Sequence, residues 1–456
     1  MIDDKKYETF RNKYPDFYYR KYEVVETEEE IKITYFFEVP NLTSYNPNLI
    51  ITKKNLNKNI DKYFLNYLIF HVGLVELISY WKATCSPNVY IEAGFIDKEQ
   101  IDWFKKLYFY GLGEFFFVNK IDTNINDFMN IKVNSKKQEY NVEYEGIGNL
   151  IPVGGGKDSV VTLELLKDYK EINNPFIINP KDVTIKCAEI GGYSNDKIIS
   201  VKRTICKNLL ELNKQGFLNG HTPFSAAVAF ISYLTAYITG KKYIVLSNEA
   251  SANESTVVGT KINHQYSKTY EFENDFNNYT KKYFHIDIKY FSMLRPISEF
   301  QIGMLFSNYT KYHKIFKSCN VGSKQNPWIW CNNCAKCLFV YIILSPYLYK
   351  DGLINIFGED LFEKEELLPI FKELTGNAET KPFECVGTIR EVRYSIIKVI
   401  KKLNDNLPYL LKFYKDNYSL DIDNLDLENE FNNEHNLPNE FLEILKGELE
   451  NAGKNN

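Results

Sequence analysis

No run of Lys or Arg of the kind that makes a nucleic-acid-binding arm occurs in these 456 residues, and the formal net charge is −4. Nucleic acid is therefore not favoured as a partner. The opening residues, MIDDKKYETFRNKY, are charged and lack the apolar core of a secretory signal. Eight cysteines spread over so long a chain suit a reducing compartment, so a cytoplasmic protein is expected. Internal repeats are absent. An unambiguous membrane span is absent too. Residues 63–81 are apolar but carry His71 and Glu76, which a bilayer centre would penalise. Residues 222–239 carry no charge; however, Thr222 can cap a helix, Pro223 suits its first turn and Gly240 its end, with a strand-like run at 242–246 directly after. Both read as buried helices. The oligomeric state is not legible.

Two familiar nucleotide signatures are also missing. No Gly-x4-Gly-Lys-Ser/Thr occurs, and G-x-G-x-x-G fails where Lys157, Asp158 and Ser159 interrupt it. What is present is GNLIPVGGGKDSVVTLELL, residues 148–166: a short apolar run, three glycines, Lys-Asp-Ser, then apolar residues at helical spacing. Glycine lets the backbone approach an anion closely, and the first N–H groups and dipole of a helix favour negative charge. The stretch therefore offers an oxyanion cradle, and a plain turn does not need three glycines followed by Lys-Asp-Ser.

On the length prior of roughly 150 residues each, about three domains fit. Residues 1–147 read as an α/β or α+β domain: a strand at 30–39, a long helix at 60–82, a strand at 89–93, a helix at 98–110 and a strand at 114–118. Residues 148–349 alternate strand and helix, with a strand at 184–190, helix over most of 196–211 and a strand at 243–246. That pattern predicts a largely parallel sheet with ligands at the strands' carboxyl ends. Residues 154–159, 189–192 and 247–253 should then converge on one crevice. The polar segment SNEASANESTVVGTKINHQYSK supplies Asn248, Glu249, Ser251, Asn253, Glu254, His264 and Gln265 to it. Residues 350–418 read as helical, and 419–456 as an acidic, partly disordered tail without chemistry.

Cys319, Cys331, Cys334 and Cys337 form a C-x11-C-x2-C-x2-C set. Four thiolates so spaced can surround one tetrahedral ion, and their softness favours Zn2+ in a closed, structural site; spacing alone leaves an iron–sulfur cluster open. Cys385 lies on a loop, KPFECVGT, and reads more readily as a packed thiol than as a nucleophile.

Gly155, Gly156, Lys157, Asp158 and Ser159 resemble the Ser-Gly-Gly-x-Asp-Ser loop of the ATP pyrophosphatases, with Gly154 in place of the leading serine. That likeness implies an adenine-nucleotide α-hydrolase-like fold and cleavage of ATP between its α- and β-phosphates. Gly154, Gly155, Gly156 and Ser159 would hold pyrophosphate, Lys157 would add charge and Asp158 would direct Mg2+, with Asn248, Ser251 and Asn253 near the nucleotide. The wider set "HVGLVELISYWKATCSP", "LIPVGGGKDS", "NGHTPFSA", "LSNEASANES", "NHQYSKTYEFE", "LRPISEFQI", "CNNCAKC" and "PFECVGT" resembles the UDP-N-acetyl-α-D-muramoyl-L-alanyl-L-glutamate epimerases. The resemblance implies an ATP-dependent isomerase acting on a nucleotide-sugar peptide. An acyl adenylate would be its intermediate, and Cys385, His264 and Glu249 its candidate proton carriers. The 7-cyano-7-deazaguanine synthases also combine this loop with four cysteines and are the alternative; the long N-terminal segment and the helical C-terminal region count against them. A third reading is an ATP-sensing protein without turnover.

Overall fold

The structure, a computed structural model, describes residues 5–57, 59–136, 140, 142–257, 262–404, 406–421 and 426–455. Eleven strands form one mixed sheet in the order β11-β10-β7-β8-β9-β4-β2-β1-β5-β6, with β3 paired to β2. They are β1 Asp16–Glu26, β2 Glu30–Val39, β3 Thr43–Tyr45, β4 Asn48–Thr52, β5 Asn88–Ile91, β6 Asn130–Val133, β7 Asn149–Pro152, β8 Asn173–Ile178, β9 Ile199–Arg203, β10 Tyr243–Leu246 and β11 Lys289–Ser292. From β11 through β9 all neighbours run parallel. The antiparallel β4–β9 pairing, with Leu49 opposite Arg203 and Ile51 opposite Val201, then joins them to the strands of the first 147 residues. The expected boundary at 147/148 thus falls between two strands of a continuous sheet.

Alternation along the strands feeds two cores. Leu150, Phe176, Ile244 and Tyr290 point into one, and their neighbours Ile151, Ile177, Val245 and Phe291 into the other. The first core holds the helices Lys62–Trp81 and Phe224–Thr239. The second holds Lys157–Leu165, Ala335–Leu344 and Ile389–Leu403. Lys62–Trp81, started by Asp61 accepting from the Phe64 N–H at 2.7 Å, is the one described helix long and apolar enough to cross a membrane. It lies inside the protein instead. The two residues that argue against a bilayer centre have partners there: Glu76 meets Arg203 through Oε2 at 2.8 Å, and His71 meets the Tyr279 hydroxyl at 2.8 Å.

Several expectations need correction. Residues 184–190 are not a strand but part of the helix Asp182–Ile190, and residues 196–211 contain β9 before the helix Lys207–Lys214 begins. Residues 114–118 belong to a helix, Gly113–Val118, because burying Phe115 and Phe116 outweighs the strand preference of an aromatic run. Phe224–Thr239 starts after Pro223 with no side-chain cap, so Thr222 does not cap it, while Gly240 ends it at φ 65° as expected. Residues 360–374 break into short 3-10 turns before the helix Leu368–Leu374. In the tail, residues 422–425 lie outside the described set. A helix follows at Asn439–Asn455, with Leu437, Phe441 and Leu445 buried in the second core.

Candidate active site

β7, β10 and β11 run side by side in one direction, so the segments leaving their carboxyl ends meet. The first is the glycine loop. Gly156 stands before the helix Lys157–Leu165, whose early N–H groups therefore have no side-chain cap. Gly155 has φ 82°, and a Cβ there would stand 3.1 Å from Val183 and 3.2 Å from Thr184. Gly154 is different. A Cβ on it would meet nothing within 4 Å, so the loop's open face is at Gly154.

Lys157 is buried and ion-paired to both Asp158 and Glu299. Asp158, Glu249 and Glu299 bring carboxylate oxygens within 4.8 Å of one another, a hard-oxygen set suited to Mg2+. Burial works against the Asp158 carboxylate, yet Lys157 and Lys336 hold it below the usual range. Burial raises Glu299, with Lys157 opposing and Asp158 and Glu249 adding to the rise. Arg295, wholly buried, donates to the Glu249 carbonyl at 2.7 Å and to the Lys268 carbonyl, and pairs with Glu273 at 3.2 Å. It thereby fixes the segment after β10 against that after β11. Neither Glu299 nor Arg295 was singled out from sequence; a signal was there, since charges inside the apolar stretch LRPISEFQI are residues that need buried partners.

The polar residues expected beside the nucleotide are used within the protein. Asn248 donates to Ser292 at 3.1 Å, Ser251 to Glu249 at 3.2 Å, and the Asn253 side chain accepts from the Tyr270 N–H at 2.9 Å. Ser159 donates to the Gly156 carbonyl at 3.0 Å. Residues 189–192 do not converge here: the end of β8 leads into the start of a helix, so Val183 and Thr184 approach the loop and Glu189 lies at the far end. Of the polar segment after β10, residues 258–261 lie outside the described residues.

Beside the carboxylates stands a second group. Lys268 donates to the Cys385 sulfur at 3.2 Å, and His264 acts on the same thiol by charge. The ring of His264 also meets Glu114 through Nδ1, and His221 lies with its ring centroid 4.2 Å away. Burial pushes the Cys385 thiol up, but Lys268, His264 and Lys336 outweigh it and bring it down to about 6. Burial would lower His264, but Cys385 and Glu114 raise it to about 9. His221 falls to about 4 through burial and the neighbouring His264. Lys268 is coupled by charge to Cys385, Glu249 and Asp158 at once, tying both groups into one crevice. Glu114 and Lys268 were not foreseen, because spacing along a chain does not reveal that residues 150 apart will touch.

The four cysteines lie together. Sulfur separations are 3.9 Å for Cys319–Cys334, 3.8 Å for Cys331–Cys337 and 3.5 Å for Cys334–Cys337, and none is in a disulfide. A tetrahedral ion bound at about 2.3 Å needs sulfurs about 3.8 Å apart, so the set fits Zn2+. Backbone N–H groups of Gly322 and Cys331 donate to the Cys319 sulfur at 3.0 and 3.4 Å, the usual support of a thiolate ligand. Lys336, within the knuckle, donates from its backbone to Glu384 at 3.1 Å and from its ammonium to the Cys385 carbonyl. The knuckle thus holds the loop that carries Cys385. A separate cavity of about 730 Å³, lined by Tyr22, Tyr67, Gln100 and Tyr283, also takes in residues just past β5 and β6 and contains none of these groups.

Fold and crevice define an α/β protein with a glycine-rich strand-to-helix site at the carboxyl ends of parallel strands and a four-cysteine knuckle beside it. The family is more specific. Residues 8–293 match the family model described as the MurL N-terminal domain, and residues 315–417 that of the MurL C-terminal domain; the chain belongs to the MurL family. The first match ends one residue past β11. Similar curated proteins are the UDP-N-acetyl-alpha-D-muramoyl-L-alanyl-L-glutamate epimerases of Xanthomonas oryzae pv. oryzae, 33% identical over 70% of this chain and 71% of its own, and of Micromonospora sp., 32% identical over 71% and 72%. That of Salinispora tropica is 31% identical over 69% of each.

Proposed function

We propose that this chain is a cytoplasmic epimerase that converts the terminal L-glutamate of UDP-N-acetylmuramoyl-L-Ala-L-Glu to D-glutamate for peptidoglycan precursors. It does so at the expense of ATP, which it cleaves to AMP and pyrophosphate. The substrate follows from the names of the relatives. The chemistry follows from one observation: the uncapped glycine turn stands directly beside the Asp158–Glu249–Glu299 carboxylates, a cradle for phosphate next to a seat for its cation. This is the pairing that an ATP-pyrophosphatase loop requires.

Removing the α-proton of a free carboxylate would add a second negative charge to it. Joining the carboxylate to AMP cancels the first charge and lets the resulting anion spread into the acyl group. The N–H groups at 155–159 bind the departing pyrophosphate, and Lys157 neutralises the crowded carboxylates. Asp158, Glu249 and Glu299 would hold Mg2+, which would supply positive charge to offset that of the phosphates. Zn2+ on Cys319, Cys331, Cys334 and Cys337 would be structural.

In deuterated water, the D-Glu product should carry deuterium at the α-carbon, with AMP formed alongside, only when ATP and Mg2+ are supplied. Asp158→Asn should stop both. Incorporation without ATP, or ADP in place of AMP, would overturn this reading.

A further inference from the structure

The proton-carrying groups of an epimerase that uses two bases must face each other across the α-carbon. Cys385 and His264 are instead neighbours that act on each other by charge, with Lys268 donating to the sulfur at 3.2 Å. What the pair does resemble, in chemical terms, is a thiol nucleophile activated by an imidazole that a carboxylate orients. Glu114 binds Nδ1 of His264, fixing the ring, and the Lys268 ammonium lies 3.2 Å from the sulfur. Cys385 is half-buried, and His264 keeps 14% of its side-chain surface exposed, so an acyl group can reach them. Lys268 links the thiol by charge to Asp158 and Glu249, where the activated acyl group would arise.

From this geometry we infer that Cys385 is a covalent nucleophile, which takes the glutamyl group from the adenylate as a thioester. The inference rests on the adenylation reading above. The Cys385 thiolate attacks the acyl carbon, a C–S bond forms, the C–O bond to the phosphate breaks, and AMP departs with that electron pair. The imidazolium proton of His264 leaves with the phosphate monoester, whose second ionisation lies near neutrality. His264, now neutral, takes a proton from water as that water attacks the thioester carbon. The C–S bond breaks and the thiolate returns to Lys268. The thioester preserves the charge cancellation achieved by adenylation while freeing AMP, so proton exchange takes place on an acyl group tethered in the crevice.

Three measurements on full-length protein test this. Substrate-dependent exchange of labelled pyrophosphate into ATP reports adenylation. Mass spectrometry of acid-quenched single turnovers reports acylation, and product analysis reports turnover. Wild-type protein with ATP, Mg2+ and UDP-N-acetylmuramoyl-L-Ala-L-Glu should show exchange, together with a hydroxylamine-labile acyl mass on the peptide containing Cys385. Cys385→Ala should retain exchange but lose the adduct, and turnover should fall roughly 10³-fold or more, the scale of losing a nucleophile. Full turnover by Cys385→Ala, or its loss with no adduct in wild type, would overturn the nucleophile while leaving adenylation standing. The second outcome would make Cys385 a base. Absence of exchange in wild type would overturn both readings.

Discussion

At the scale of single residues, the glycines of the loop separate conformation from ligand space. Gly155 needs its positive φ and has side chains at 3.1 and 3.2 Å from where a Cβ would be, so Gly155→Val should destabilise the fold by about 2 kcal/mol or more. Gly154→Val adds its Cβ where no protein atom lies within 4 Å. It should leave denaturant unfolding within about 0.5 kcal/mol of wild type yet abolish pyrophosphate exchange, because the valine fills only the space a phosphate would take. Unimpaired exchange in Gly154→Val would mean that phosphate does not bind there. The thiolate–imidazolium pair makes a separate prediction, this time in pH. Cys385, brought down to about 6, loses its reactive anion as pH falls through that value; His264, raised to about 9, loses its proton as pH rises through that one. The rate of the chemical step should therefore be bell-shaped with limbs near those values, which belong to the pair rather than to either group. Glu114 positions His264 and raises it, so Glu114→Gln should move the alkaline limb down; an unmoved limb would remove Glu114 from the triad.

At the scale of elements, the four-cysteine knuckle and the Cys385 loop are one device, joined through Lys336. Elemental analysis of reduced protein should find about one zinc per chain, and Cys334→Ser should lower both zinc content and thermal stability, since metal binding is coupled to folding. Because Lys336 holds the Cys385 carbonyl, alkylation of Cys385 should also change in rate when zinc is stripped. An unchanged rate would separate knuckle from crevice. How far such elements could be read in advance depended on what their patterns encode. The strand at 30–39 was legible residue for residue because one face is buried and the other is not, so strict alternation survived. The glycine turn was legible because few other structures use that composition. Residues 184–190 misled because TIKCAEI is short, apolar and partly β-branched, and such runs do not distinguish strand from buried helix. The Cys385–His264–Glu114 grouping was beyond reach for a different reason: it joins a loop, a second loop and a helix that only the topology brings together.

At the scale of the whole molecule, the tail is part of the body. Phe441 packs on Tyr243 and Phe291, its ring centroid 5.0 and 4.7 Å from theirs, against the strands β10 and β11 that deliver the crevice segments. Phe441→Ala should cost about 3 kcal/mol in unfolding free energy, where a dispensable tail would lose almost nothing. The β4–β9 pairing has a comparable consequence for the gene. A cut between β6 and β7 would leave the first piece with an open β4 edge and the second with an open β9 edge, each a row of unmatched N–H and C=O groups that templates foreign strands. Either fragment expressed alone should therefore collect in inclusion bodies. Expressed together, each supplies the one strand that closes the other, and the soluble product should be the pair.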